Sequence, residues 1–148
     1  MAVEIKKAGI ENIEEAASLF DGYRVFYKQP SDVKAAADFL RERIIKDESV
    51  IFLAYVNKIP VGLCQLYPLF SSVGMQRTWL LNDLYVNENA RGQGVAAALL
   101  QQAKEFGIAT NARWLMLETA ADNFTAQSVY EKNGWKRSEG VFYEMKLY

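Results

Sequence analysis

Seven consecutive apolar residues, Val50-Ile51-Phe52-Leu53-Ala54-Tyr55-Val56, constrain this chain more than any other segment. The run is short and rich in β-branched and aromatic side chains, so it reads as a buried strand. It is the longest purely apolar stretch and far short of the ~20 residues a membrane span needs. No membrane partner is therefore expected. Asn57-Lys58, then Pro60-Val61-Gly62, turn the chain back into Leu63–Leu66, the pattern of an antiparallel hairpin.

The rest of the pattern builds around that hairpin. Val3–Lys7 alternates weakly and predicts a first strand. Ile13, Ala16, Ala17, Phe20 and Tyr27 recur at helical spacing. Pro30-Ser31-Asp32 can cap a second helix with the stripe Val33, Ala36, Ala37, Leu40 and Ile44. Trp79–Val86 predicts another strand. From Gly94 the spacing is again helical, through Val95, Leu99, Ala103 and Phe106. Trp114–Leu117 is a short apolar strand, and Asn123–Lys132 a helix that Asn133-Gly134 can stop. Val141, Tyr143, Met145 and Leu147 alternate and suit a closing strand, which leaves a homodimer through that strand open. This order predicts an α/β or α+β sheet with helices on both faces.

Composition narrows the chemistry. The 148 residues are 51% hydrophobic, enough for a real core and expected to form a single domain, 1–148. Seventeen basic residues against 18 acidic ones lack the basic excess of a phosphate-backbone binder, so nucleic acid is not an expected partner. One cysteine cannot form an internal disulfide, and the N-terminus has early acids without an apolar h-region. Both point to the cytoplasm. The chain has no histidine, which excludes imidazole-based nucleophile pairs and, with Cys64 alone, a thiolate-rich zinc site. No metal is expected. Cys64, beside Leu63 and Leu66, reads as packing. Acid–base work falls to carboxylates, Tyr, Lys, water or the substrate.

The turn Arg91-Gly92-Gln93-Gly94-Val95-Ala96 lies between a predicted strand and a predicted helix. Its glycines allow positive φ and close ligand approach. The helix start offers unpaired N–H groups and a positive dipole end, an anion site to which Arg91 adds charge. Gly92-x-Gly94-x-x-Ala97 also fits a dinucleotide fingerprint, with Glu118 roughly where a ribose-binding acid would stand. Against that reading, only about a third of the chain follows the turn. A plain turn without a ligand is a third possibility.

Taken with its surroundings, Leu84-Tyr85-Val86 followed by Arg91-Gly92-Gln93-Gly94-Val95-Ala96 resembles the signature of the GNAT N-acetyltransferase superfamily. Asn123-Phe124-Thr125-Ala126 and Tyr130-Glu131-Lys132-Asn133-Gly134-Trp135 resemble its second conserved block. The resemblance spans essentially the whole chain, and its N-terminal part is similar to bacterial relatives of histone- and polyamine-type enzymes. It implies a mixed, mostly antiparallel central sheet, acetyl-CoA as cosubstrate, and a small-molecule or protein amine as acceptor.

By the same resemblance, main-chain groups of Leu84, Tyr85 and Val86 would pair with the pantetheine arm. The diphosphate would rest on N–H groups of Gln93, Gly94, Val95 and Ala96, with Gly92 shaping the turn and Arg91 nearby. Tyr130 would protonate the departing thiolate, and Asn123 would contact CoA while also suiting a helix N-cap. A lysine-like amine of pKa about 10.4 is neutral about one part in a thousand near pH 7.4, a cost of roughly 4 kcal/mol, so a carboxylate relay helps. Polyamine-type relatives often carry two acids at the positions of Asn82-Asp83; here the first is Asn82. Asp83 is the candidate base or amine anchor, and Glu118 the other acid. Tyr23 and Tyr27, with Phe26, could wall the acceptor, since aromatic faces attract ammonium groups; they also suit a plain core. A non-catalytic acyl-CoA-binding sensor or partner subunit is the alternative function.

Overall fold

The computed structural model describes residues 2–148. They form two compact units, one running to Glu118 and one of Thr119–Tyr148. In the first, the elements are β1 (Val3–Lys7), α1 (Ile13–Phe26), α2 (Val33–Ile45), β2 (Val50–Val56), β3 (Ile59–Ser71), β4 (Gln76–Val86), α3 (Val95–Ala109) and β5 (Leu115–Met116). The sheet order follows the sequence, β1-β2-β3-β4-β5. Neighbours are antiparallel except β4 and β5, which are parallel.

The apolar run becomes β2, buried at all seven positions. Its side chains alternate between faces, and each face receives helices. Ile51, Leu53 and Tyr55 join Leu63 against Ala16, Ala17, Phe20 and Leu40 of α1 and α2. On the other face Phe52 packs edge-on against Phe106 of α3, centroids 5.5 Å apart. Leu40, Leu53, Leu63, Leu66 and Leu99 are fully buried, each contributing about 1.5–3 kcal/mol relative to exposure. The β2–β3 connection is the two-residue turn Asn57-Lys58, with φ of 51° and 65°. Positive φ at both residues matches the twist of the flanking strands.

Local signals set several helix ends. Asp32 caps α2, its Oδ1 accepting from the Ala35 N–H at 3.0 Å. Ala36 and Leu40 of the predicted α2 stripe are buried, while Val33 is exposed in the first turn. The glycine at 62 sets the height of α3: an added Cβ there would lie 2.9 Å from Val95 Cγ1, so the first turn of α3 sits directly on β3.

The second unit contains α4 (Phe124–Lys132). Asn123 caps it, Oδ1 accepting from the Ala126 N–H at 3.2 Å, and Gly134 follows its end at φ 92°.

Two strand expectations change. Trp114–Leu117 contracts to Leu115–Met116. The alternating tail around Val141–Leu147 forms no strand. Alternation assigns side chains to two faces, but a strand also needs a neighbouring edge, and the described residues of this unit contain no other strand.

Candidate active site

The turn before α3 is shaped by glycine. Gly92 and Gly94 adopt φ of 79° and 80°, a region that costs most L-residues roughly 1–2 kcal/mol. A Cβ at either position would meet nothing within 4 Å, so the turn faces open space. Gly94 is the N-cap of α3 and carries no capping side chain. The first helical bond runs from the Ala98 N–H to the Gly94 carbonyl, 3.0 Å. The N–H groups of the preceding turn are thus directed out of the helix, where the dipole favours an anion. Arg91 flanks them: its Nε donates to the Val86 carbonyl at 3.1 Å, and its guanidinium lies 5.6 Å from the Phe26 ring centre.

The strand leading into this turn is open on one side. β5 pairs with β4 only at Trp79 and Leu80. Beyond those residues, through Leu84, Tyr85 and Val86, β4 pairs with β3 alone among the described residues. An extended chain with amide groups can add to such an edge. The register also skips Asn82: Gln65 faces Asp83, and Leu66 faces Leu81. Asn82 is therefore the extra residue of a β-bulge, a feature that re-aims side chains and bends a strand. No local signal in the residues marks this bulge, because it is a property of the pairing.

Asp83, next to the bulge, is buried. Its carboxylate accepts from Gln65 Nε2 at 2.6 Å and from Asn82 Nδ2 at 3.0 Å. The Tyr23 hydroxyl is within hydrogen-bonding reach of Asp83 and, at 3.4 Å, of the Asn82 carbonyl. Desolvation pushes the Asp83 carboxyl above the usual carboxylate range, and the three donors offset that only in part. The pairing partner Gln65 is fully buried, and no local sequence signal marks it, because it meets Asp83 only through the register. Tyr67 is pushed up to about 12 by burial and by the Asp83 charge, so it remains a phenol donor at neutral pH. Burial, then the same charge, raises the thiol of Cys64, which stays protonated and packed.

The aromatic residues of α1 extend from this acid. Ring centroids are 6.3 Å apart for Tyr85 and Tyr23, 5.0 Å for Tyr23 and Tyr27, and 5.3 Å for Tyr27 and Phe26. Tyr27 and Phe26 are more than half exposed, unlike core aromatics. Glu118 is exposed, two residues beyond the paired segment of β5. In the second unit Asn123 is the α4 cap, and Tyr130 lies on α4 with its ring 6.3 Å from that of Trp135. Among the described residues no three of His, Cys, Asp and Glu cluster to hold a metal ion, and no helix is long and apolar enough to cross a membrane.

A five-stranded, mostly antiparallel sheet with an uncapped helix start beside an open strand edge is the architecture of an acyl-CoA-dependent transferase. Residues 14–135 match the model of the acetyltransferase (GNAT) family, and the chain belongs to that family. It is 41% identical over 138 residues, 93% of each chain, to the uncharacterized N-acetyltransferase YhfO of Bacillus subtilis. To a probable acetyltransferase of Haemophilus influenzae it is 34% identical over 135 residues, 90% of each. The crystal structure of a probable acetyltransferase superposes with a TM-score of 0.93 at 40% identity, covering 98% of both chains. An aminoglycoside N-acetyltransferase solved with CoA shares the fold, with a TM-score of 0.82 at 18% identity over 99% of this chain and 95% of that one. The protein is accordingly an acetyl-CoA-dependent acetyltransferase, and acetyl transfer to an amine is its general reaction.

Proposed function

We propose that the chain transfers acetyl from acetyl-CoA to a primary amine by direct attack while both substrates are bound. The observation that carries this reading is the open edge of β4 running into the glycine turn at the uncapped start of α3. The residues fit the cosubstrate. Backbone groups of Leu84, Tyr85 and Val86 suit an amide-bearing pantetheine arm, and N–H groups from Gln93 through Ala96 suit a diphosphate. Arg91 adds a fixed positive charge beside them.

In the proposed reaction the neutral amine nitrogen attacks the thioester carbonyl carbon, the C–S bond breaks, and the sulfur leaves with the bonding electrons. A main-chain N–H of the bulged strand offsets the charge on the carbonyl oxygen. Asp83 anchors the incoming ammonium and takes its proton, directly or through one water. Its raised proton affinity makes it a better base than an exposed aspartate. Tyr130 returns a proton to the thiolate, and the second proton, which the nitrogen loses as the amide forms, passes through water to restore the phenol; the motif resemblance supports the tyrosine's role. Glu118 is the second acid on the acceptor side.

Labelled acetyl-CoA offered with a panel of amines should yield N-acetyl product, while CoA, but not NAD, should raise the melting temperature. NAD binding without CoA binding would refute the reading of the turn. CoA binding with no acetylated amine would refute the transfer step and favour a sensor.

A further inference from the structure

Gln65 of β3 stands opposite Asp83 in the strand register and is fully buried. Its Nε2 donates to Asp83 Oδ2 at 2.6 Å, but among the described residues its Oε1 accepts from nothing. A buried carbonyl without a donor is destabilising, and an apolar side chain of the same shape would avoid that cost. The other neighbours of the acid also donate. Asn82 Nδ2 reaches Oδ1 at 3.0 Å, and the Tyr23 O–H is directed at the carboxylate and at the Asn82 carbonyl. This set suits a carboxylate, which only accepts. A carboxylic acid has an O–H to donate, and Nε2 stands against Oδ2, where a donor meets a donor. A half-turn about the last torsion of Gln65, a soft two-fold rotation between groups of similar size, puts Oε1 there instead.

From this geometry, and resting on the acetyl-transfer reading above, we infer that Gln65 is the positioning residue of the proton transfer: its Nε2 holds the charged Asp83, and its Oε1 turns to accept from Asp83 once that acid has taken the acceptor's proton. In the step an N–H bond of the ammonium breaks, its electron pair stays on nitrogen, and an O–H bond forms at Asp83 Oδ2. Gln65 exchanges no atom and changes only which hydrogen bond it makes. The other titratable groups around the acid are Tyr23 of α1, Cys64 and Tyr67 of β3, and Tyr85 of β4 beside Tyr23; Arg43 of α2 acts on Tyr67. Burial keeps the Cys64 thiol and the Tyr67 phenol protonated, so the proton stops at Asp83.

The experiment is carbon NMR on isotope-labelled protein saturated with CoA, titrated with pH. In wild type, Asp83 Cγ and Gln65 Cδ should share one midpoint, with Cδ moving downfield as pH falls because its oxygen gains a donor. In Asp83→Asn the Gln65 Cδ should not respond to pH. Gln65→Met, similar in shape but without donor or acceptor, should raise the Asp83 midpoint by about one pH unit, the excess of a bond to a charged group over a bond to a neutral one. The acid limb of kcat/KM, measured at saturating acetyl-CoA with the panel amine acetylated fastest, should rise by the same amount. Below both midpoints that is a loss of about tenfold, with KM for acetyl-CoA unchanged. A Gln65 Cδ that ignores the Asp83 transition or moves upfield through it, or an unmoved midpoint in Gln65→Met, overturns the role of Gln65 and leaves acetyl transfer standing. The two wild-type resonances decide this even where the variant fails to fold. A kinetic limb that does not follow the Asp83 midpoint in wild type overturns Asp83 as the base, and with it the positioning role, while the titrations still describe the pair.

Discussion

Replacing Gly94 by alanine separates backbone strain from ligand binding at the turn. Nothing lies within 4 Å of the added methyl, so packing does not oppose the change. The cost is conformational. At φ 80° an alanine is strained by roughly 1–2 kcal/mol, and its stiffer unfolded chain returns about 0.4–1 kcal/mol. A net loss of about 1 kcal/mol should lower the melting temperature by roughly 2–4 °C for a chain of this size. The effect on CoA should be larger. The methyl enters the space the diphosphate is proposed to use, and relaxation toward negative φ swings N–H groups of the α3 start away. Losing one hydrogen bond to a charged group, about 1.5–3 kcal/mol, weakens CoA binding by roughly tenfold to a hundredfold. Gly94→Asn tolerates positive φ better and should recover stability without recovering affinity. Thermal unfolding with and without CoA, together with calorimetric titration, reads both quantities. Wild-type CoA affinity in either folded variant would refute the cradle.

Asp83→Asn should cut kcat by roughly 10²–10⁴-fold without losing stability at neutral pH. The folded carboxyl of Asp83 binds its proton more tightly than an unfolded aspartate, so wild-type stability falls as pH rises from near 3.8 through the folded pKa. The variant should lack that slope in urea titrations across pH. Tyr130→Phe should lower kcat more than it changes the Kd of CoA, with the loss smallest at low pH; an unchanged pH–rate profile would remove it as the acid. Asp21, held below the usual carboxylate range by its bonds from Ser31 and the Asp32 N–H, contributes stability present above the unfolded pKa and lost as pH falls through its folded value. Asp21→Asn should therefore melt a few degrees lower at pH 7 and match wild type at the acid end, as calorimetric scans can check.

Much of this molecule was legible in local patterns. The apolar run Val50–Val56 predicted a buried strand, and helical spacing located α1, α2 and α3, because one-sided burial repeats along an element. Asp32 and Asn123 were readable as caps since their partners lie three residues away. The tail at Val141–Leu147 misled, because periodicity carries no information about a pairing edge. Asp83 was readable as an acid of interest, but its partner Gln65 was not: the two are 18 residues apart and meet through strand register.

By itself the sequence determined the kinds and order of the elements from β1 to α4, and a glycine turn able to take positive φ, all consequences of interactions within a few residues. Tertiary structure alone decided that β4 bulges at Asn82, that among the described residues its edge is open beyond Leu80, that Asp83 is dry enough to bind a proton more tightly than an exposed aspartate, and that α1 aims a line of rings at it. Those features depend on register and desolvation, which arise only when distant segments pack.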